Sequence, residues 1–184
     1  MVLTGCASGG GVEGSTTTSS ATAEPVNPWD LPLEQRPALF DPCTELPVEA
    51  VEQGLGGPVE KVNLYERNRP GELMACGWAT DQAEISVLAT WKPRYEYIKD
   101  RSLKILDLEN NVDGRTGMRL VDNTAVTERS CIQLFFTERG TIWLRLDLLD
   151  FFREFRGERP TEPCGALEQA IPPIMAHYPQ GEFK

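Results

Sequence analysis

Histidine is nearly absent: the chain of 184 residues has one, His177, close to its C-terminus. A lone histidine cannot furnish a His-rich metal site, and no GxSxG motif supplies a serine for it to activate. No two of the five cysteines (Cys6, Cys43, Cys76, Cys131, Cys164) stand in CxxC spacing, which removes the zinc-ribbon and dithiol signatures. GxxxxGK[ST] is also missing, so the sequence encodes no P-loop. No apolar run approaches the ~20 residues that cross a bilayer as a helix. Basic residues are scarce: 18 Lys and Arg face 28 Asp and Glu, a formal net charge of −10. From residue 41 onward the count is 17 against 24. Such a surface repels phosphodiester backbones, which argues against nucleic acid as a partner. No catalytic residue, metal ligand or cofactor site emerges. The expectation is a protein that is not an enzyme.

What is present starts at Leu3-Thr4-Gly5-Cys6. This is the lipobox pattern of bacterial lipoproteins, in which small residues admit a peptidase that cuts before the cysteine, whose thiol receives a diacylglycerol. Residues 7–23 are almost wholly Gly, Ser, Thr and Ala. Such a run buries too little apolar area to fold and reads as a tether. About 30 residues of coil reach on the order of 30 Å. Five residues precede Cys6, fewer than the apolar stretch of ~7–15 that a signal peptide needs, so residues 1–6 read as a signal peptide cut short. Residues 7–40 read as a disordered N-terminal tether, proline-rich from residue 24, whose last residues dock on the domain. Residues 41–184 read as a single domain.

Within that domain, Pro47 is placed to open a short helix and Gly54 to stop it. "KVNLYE", "MACGWAT", "EISVLATW" and "GMRLVD" read as strands, the third alternating Ile85, Val87 and Ala89 on one face. Residues 93–109 read as a helix with Tyr95, Ile98, Ile105 and Leu106 along one side. "CIQLFFTERGTIWLRLDL" is the clearest hairpin, with apolar faces at Ile132, Leu134, Phe136 and at Ile142, Leu144, Leu146. A last helix starts near Pro163, with Pro172-Pro173 expected to kink or interrupt it. Runs of strand with helices at both ends and one between predict an α+β fold, an antiparallel sheet with helices packed on one face.

Two stretches are candidate surfaces. Lys92, Arg94, Lys99, Arg101 and Lys104, interleaved with Tyr95 and Tyr97, form the only basic concentration in an acidic chain. They suit a phospholipid headgroup, a phosphorylated glycolipid or an acidic partner, or else a solvated helix face paired to Glu96 and Asp100. "LLDFFREF" concentrates Phe151, Phe152 and Phe155, suiting a lid over an apolar pocket or a partner patch as well as plain core packing. Asp147 and Asp150 read as solvated acids at a strand end.

"DPC" at 41–43, "CGW" at 76–78, a strand opening at Cys131 and "EPCGALEQA" at 162–170 stand in a recognisable order. With the lipobox and tether they resemble the actinobacterial (mycobacterial- and nocardial-type) lipoprotein family known as domain of unknown function 3558. The resemblance implies an envelope lipoprotein with a disulfide framework and no particular reaction. Four cysteines beyond Cys6 allow three connectivities. Cys43–Cys76 with Cys131–Cys164 is the expected set, because each bridge would tie the start of a helix to a neighbouring strand. The functional expectation is a lipoprotein lipidated (diacylglycerol, palmitate) on Cys6. It would sit on the extracytoplasmic side of the cell membrane and bind an envelope protein or component. The alternative is a carrier of an apolar or lipid-like ligand, held between sheet and helices under the Phe151–Phe155 segment.

Overall fold

The computed structural model describes residues 1–2, 26–123, 129–149, 154–158 and 162–183. Within them the strands β1 (Glu60–Lys61), β2 (Arg67–Arg69), β3 (Leu73–Ala79), β4 (Ala83–Thr90), β5 (Leu103–Val112), β6 (Arg115–Asp122), β7 (Ser130–Thr137) and β8 (Gly140–Leu148) form one antiparallel sheet. Its order is β1-β3-β4-β8-β7-β6-β5, with β2 also paired to β3. The helices are α1 (Pro42–Glu45), α2 (Val48–Leu55), α3 (Arg94–Lys99) and α4 (Pro163–Met175). The expected α+β architecture is present, with both expected disulfides, Cys43–Cys76 and Cys131–Cys164.

On one face, Ile85, Val87 and Ala89 of β4 stand beside Leu146, Leu144 and Ile142 of β8, fully buried under α4 with Leu167, Ala170, Ile171 and Ile174. Helices α1 and α2 join this layer, α1 through the Cys43–Cys76 bridge to β3 and α2 against α4. The other face carries a smaller core, in which Met118, Leu120, Ile132 and Leu134 lie under Tyr97 of α3. Every residue of β7 is therefore buried. The expected hairpin is present, with both of its apolar sets buried. A two-residue turn at Glu138 and Arg139 pairs Thr137 with Gly140, which sets Phe135 opposite Ile142. Ile132, Leu134 and Phe136 consequently face α3 while Ile142, Leu144 and Leu146 face α4; the two apolar sets lie on opposite sides.

The helix expected over residues 93–109 is corrected. It ends at Lys99, where the Asp100 carboxylate accepts from the Ser102 amide (3.1 Å) and hydroxyl (2.6 Å), a side-chain turn that competes with helix. Strand β5 follows, and two bulges between Ile105 and Asn110 break its register with β6. "KVNLYE" is mostly a 3-10 turn (Asn63–Tyr65) after a two-residue strand. Gly54 does not stop α2; the stop is Gly56, left-handed at φ 81°. Gly54 is glycine for another reason: a Cβ there would sit 2.7 Å from the Ala170 carbonyl, where α2 crosses α4. Pro172 and Pro173 lie inside α4, which continues to Met175.

Tyr178, just past α4, packs its ring edge-on to Phe40 (5.7 Å) and Phe135 (6.0 Å). Its hydroxyl is buried with no hydrogen-bond partner among the described residues, and burial pushes its ionisation far above the ordinary range. A buried orphan hydroxyl costs about 1–3 kcal/mol. Tyr178→Phe is thus expected to leave the urea midpoint unchanged or raise it. A clear fall in the midpoint would mean that the hydroxyl is bonded in solution.

Candidate functional site

The lead-in and the C-terminal segment meet where β7 runs into the β7–β8 turn. The lead-in begins with Asn27, whose side-chain oxygen accepts from the Trp29 amide (3.0 Å) and caps a single turn. The Trp29 indole nitrogen then donates to the Thr137 carbonyl (2.9 Å), pinning the ring beside β7. Arg36 folds back to donate to the carbonyls of Leu31 (2.9 Å) and Trp29 (3.1 Å). Arg139, on the β7–β8 turn, holds the rest of the lead-in. It donates to the Ala38 and Leu39 carbonyls (3.0 Å each) and grips the Glu45 carboxylate with both terminal nitrogens (2.5 and 2.8 Å). Burial pushes the Glu45 carboxyl up, but the Arg139 hydrogen bonds, the Asp41 amide and the guanidinium charge together hold it below its usual value.

The C-terminal segment arrives from the other side. Gln180 accepts from the Glu138 amide (3.0 Å), and the Phe183 amide donates to the Phe136 carbonyl (3.0 Å). Arg115 on β6 donates to the Pro179 carbonyl (2.7 Å). Between these two straps and the start of α3 opens a cleft of about 460 Å³.

Aromatic rings, the Arg36 and Arg94 guanidinium groups and the carboxylates of Asp30 and Glu96 line it. Trp29 lies edge-on to Trp91 (5.0 Å, 77°), and the Arg36 guanidinium sits 5.0 Å from the Trp91 ring centre. Across the cleft, Arg94 lies 5.4 Å from the Phe136 ring centre and donates to the Leu108 carbonyl. Tyr95, half exposed at 56 %, and Phe183 close the rim. Edge-packed rings beside planar cations suit flat, polar groups. Of these residues only Arg94 and Tyr95 were expected from the sequence. Trp29 lay in the proline-rich lead-in, where a docking aromatic was the available signal.

The other expected surface residues separate. Tyr97 is 2 % exposed and belongs to the core, against Phe136 (6.4 Å) and Trp143 (5.8 Å). Burial first, then the charges of Glu96 and Asp100, pushes its phenol well up. Lys92 pairs with Asp100 (3.0 Å) over the Tyr97 ring. The Ser102 hydroxyl and the Lys92 ammonium hold the Asp100 carboxyl at about 2. Lys99 lies over the Tyr95 ring (5.1 Å), and Arg101 is exposed. Phe155 is buried (1 % exposed) and offers no surface of its own. Cys6, Phe151, Phe152 and Asp150 lie outside the described residues.

Asp147 belongs to a polar network. It accepts from Arg145 through both oxygens (2.7 and 2.8 Å), and Arg145 also reaches Asp122 (3.5 Å). Glu84, opposite Asp147 across the β4–β8 ladder, accepts from the Tyr65 hydroxyl (2.7 Å). Burial and this bond push the Tyr65 phenol up to about 12. Among the described residues, no three His, Cys, Asp or Glu side chains are placed to hold a metal ion. No helix of the described residues is long and apolar enough to cross a membrane.

A family model, protein of unknown function DUF3558, matches residues 1–171. The chain belongs to that family. The family match takes in the lead-in, the sheet and α4 as far as Ile171; Phe183 and the C-terminal strap lie beyond it. Neither the curated proteins nor the solved structures hold a match to the chain.

Proposed function

We propose that this chain is a cell-envelope lipoprotein of actinobacterial type. It is acylated on Cys6, held on the extracytoplasmic side of the membrane, and acts by binding rather than by catalysis. The observation that carries the binding reading is the cleft of Trp29, Arg36, Trp91, Arg94 and Tyr95, whose lining offers rings, guanidinium groups and the carboxylates of Asp30 and Glu96 but no Ser, Cys or His side chain. Two supports point to the compartment. Two disulfides suit an oxidising environment outside the cytoplasm, and Leu3–Cys6 reads as a lipobox. Two or more acyl chains on that cysteine would make the anchor durable, since one alone binds only reversibly.

The carrier alternative draws less support. The space between sheet and helices is filled by Phe135, Leu144, Leu146, Leu167 and Ile171, each at most 1 % exposed. One mass-spectrometry experiment tests the proposal. The chain is produced behind a complete lipoprotein signal peptide in an actinobacterial host, extracted in detergent, and weighed native and denatured. The denatured mass should place Cys6 at the N-terminus carrying a diacylglycerol and a fatty acyl group, and a Cys6→Ser variant should appear unacylated in the medium. An unmodified Cys6 would sink the anchor. A small molecule shed on denaturation, from a site insensitive to Trp29→Ala and Arg94→Ala, would replace the cleft reading with the carrier.

A further inference from the structure

The exposed side of α3 and the turn that follows it combine residues that suit one kind of surface. Tyr95 and Ile98, three positions apart on one helix face, are 56 % and 48 % exposed. Lys99 lies against the Tyr95 ring, and Arg101 is exposed without an ion pair among the described residues. The acids close by are engaged: Asp100 with Lys92 and Ser102, and Glu96 with the Tyr95 hydroxyl (3.4 Å). Asp107 and Glu109 are exposed and flank Leu108, whose carbonyl accepts from Arg94. In a chain of net charge −10, residues 92–109 carry five Lys and Arg against four Asp and Glu.

The lead-in begins beside the N-terminal end of the same helix. Asn27, the start of the docked lead-in, lines the same cleft as Arg94 and Tyr95. Twenty residues separate it from Cys6, a covalent span of at most ~70 Å.

We infer that this end of the domain is a membrane-docking surface for an anionic phospholipid bilayer. Tyr95 and Ile98 enter the interface while Lys99 and Arg101 meet the headgroup phosphates. A tyrosine suits the interfacial zone because its ring is apolar and its hydroxyl stays wet. Basic residues near an anionic surface add affinity one by one, and the effect decays within a Debye length. The acidic remainder of the domain would be repelled, so docking also fixes orientation, with the aromatic cleft opening at headgroup level. The anchoring reading makes this surface useful, since a tethered domain stays within reach of the bilayer; the surface itself stands on its own residues.

The test uses the full chain with Cys6→Ser, so that no acyl group contributes. It is sedimented with vesicles of phosphatidylcholine alone and with vesicles holding equal phosphatidylcholine and phosphatidylglycerol. Binding is expected only to the mixed vesicles, weakening steeply as salt rises. Lys99→Ala and Arg101→Ala should each lower the partition coefficient about fivefold. The pair Tyr95→Ala with Ile98→Ala should weaken it further, with unchanged urea midpoints. Equal binding to both vesicle types, no binding to either, or indifference to the Lys99 and Arg101 substitutions would overturn the inference. An acylated Cys6 with no phosphatidylglycerol dependence would sink the docking surface and leave the anchor. The reverse result would sink the anchor and leave the surface.

Discussion

Full reduction of the two disulfides should unfold the domain at 37 °C. Each bridge closes a loop with the same sequence separation, 33. The chain-entropy model gives roughly 3–4 kcal/mol per bridge for a loop of that size. A domain of ordinary stability has about 5–15 kcal/mol in total. Losing both bridges removes a quantity of the same size as the whole, whereas losing one should leave a folded protein with a lowered urea midpoint. The equal separations sharpen the comparison. Loop length cannot distinguish the pair Cys43→Ala with Cys76→Ala from the pair Cys131→Ala with Cys164→Ala, so any difference reports packing. One bridge fastens α1, four residues long, to β3, and the other fastens α4, thirteen residues long, to β7. Helix α4 buries Ala166, Leu167, Ala170, Ile171 and Ile174 at 0 % exposure and stays docked by that area alone. The two double variants should therefore fall within about 1 kcal/mol of each other, with tertiary circular dichroism retained in both. A fully reduced protein that kept a cooperative urea transition near the oxidised midpoint would show that the cores alone hold the fold.

That pairing was legible because each bridge ties the start of a helix to a strand, although 33 positions separate the partners. Other features were legible only in part. The period-two alternation on both sides of the β7–β8 turn marked strands correctly, yet alternation says which residues share a face only within one strand. The relation between two strands depends on turn length. Here a two-residue turn shifts Ile142 opposite Phe135, and a core on each side of the sheet lets both sets be buried. The short α3 was masked by the apolar residues of β5, which mimic a helical face when read straight through Asp100. The Asp-Arg-Ser turn at 100–102 was the available signal against it.

The cleft was the least legible part. Trp29 and Phe183 lie at opposite ends of the chain, and what brings them together is backbone: the Thr137 and Phe136 carbonyls receive the Trp29 indole and the Phe183 amide. Backbone acceptors leave no pattern in a sequence. The basic stretch, by contrast, was visible as composition. Its division into a core residue (Tyr97), an ion-paired one (Lys92) and an exposed group (Tyr95, Lys99, Arg101) required the helix axis.

Arg119→Met should destabilise the domain by about 3 kcal/mol, and adding Gln133→Leu should restore most of the loss. Arg119 is 4 % exposed and lies on the α4 side of β6, directly across the ladder from Gln133, which is fully buried. Its guanidinium donates to the Gln133 side-chain oxygen (2.7 Å), to Glu168 on α4 (3.0 Å) and to Asn110 on β5 (2.9 Å). Three elements are thus tied to β6 through one side chain. Methionine keeps the length of the stem, so the substitution removes hydrogen bonds more than volume. What remains is a buried Gln133 oxygen with no donor, and an unsatisfied buried group costs about 1–3 kcal/mol where a satisfied bond contributes only about 1. Replacing both partners with apolar groups removes that penalty, and buried ionic networks are often no more stabilising than well-packed hydrophobic substitutes. A double-mutant cycle read from urea midpoints should therefore show a coupling of about 2 kcal/mol between positions 119 and 133. Strictly additive losses would place the cost of Arg119→Met in the contacts to Glu168 and Asn110 instead. Glu168 has a side chain 57 % exposed, so water can take over its lost bond, and that outcome would require Asn110 and the bulged end of β5 to depend on the guanidinium for their position.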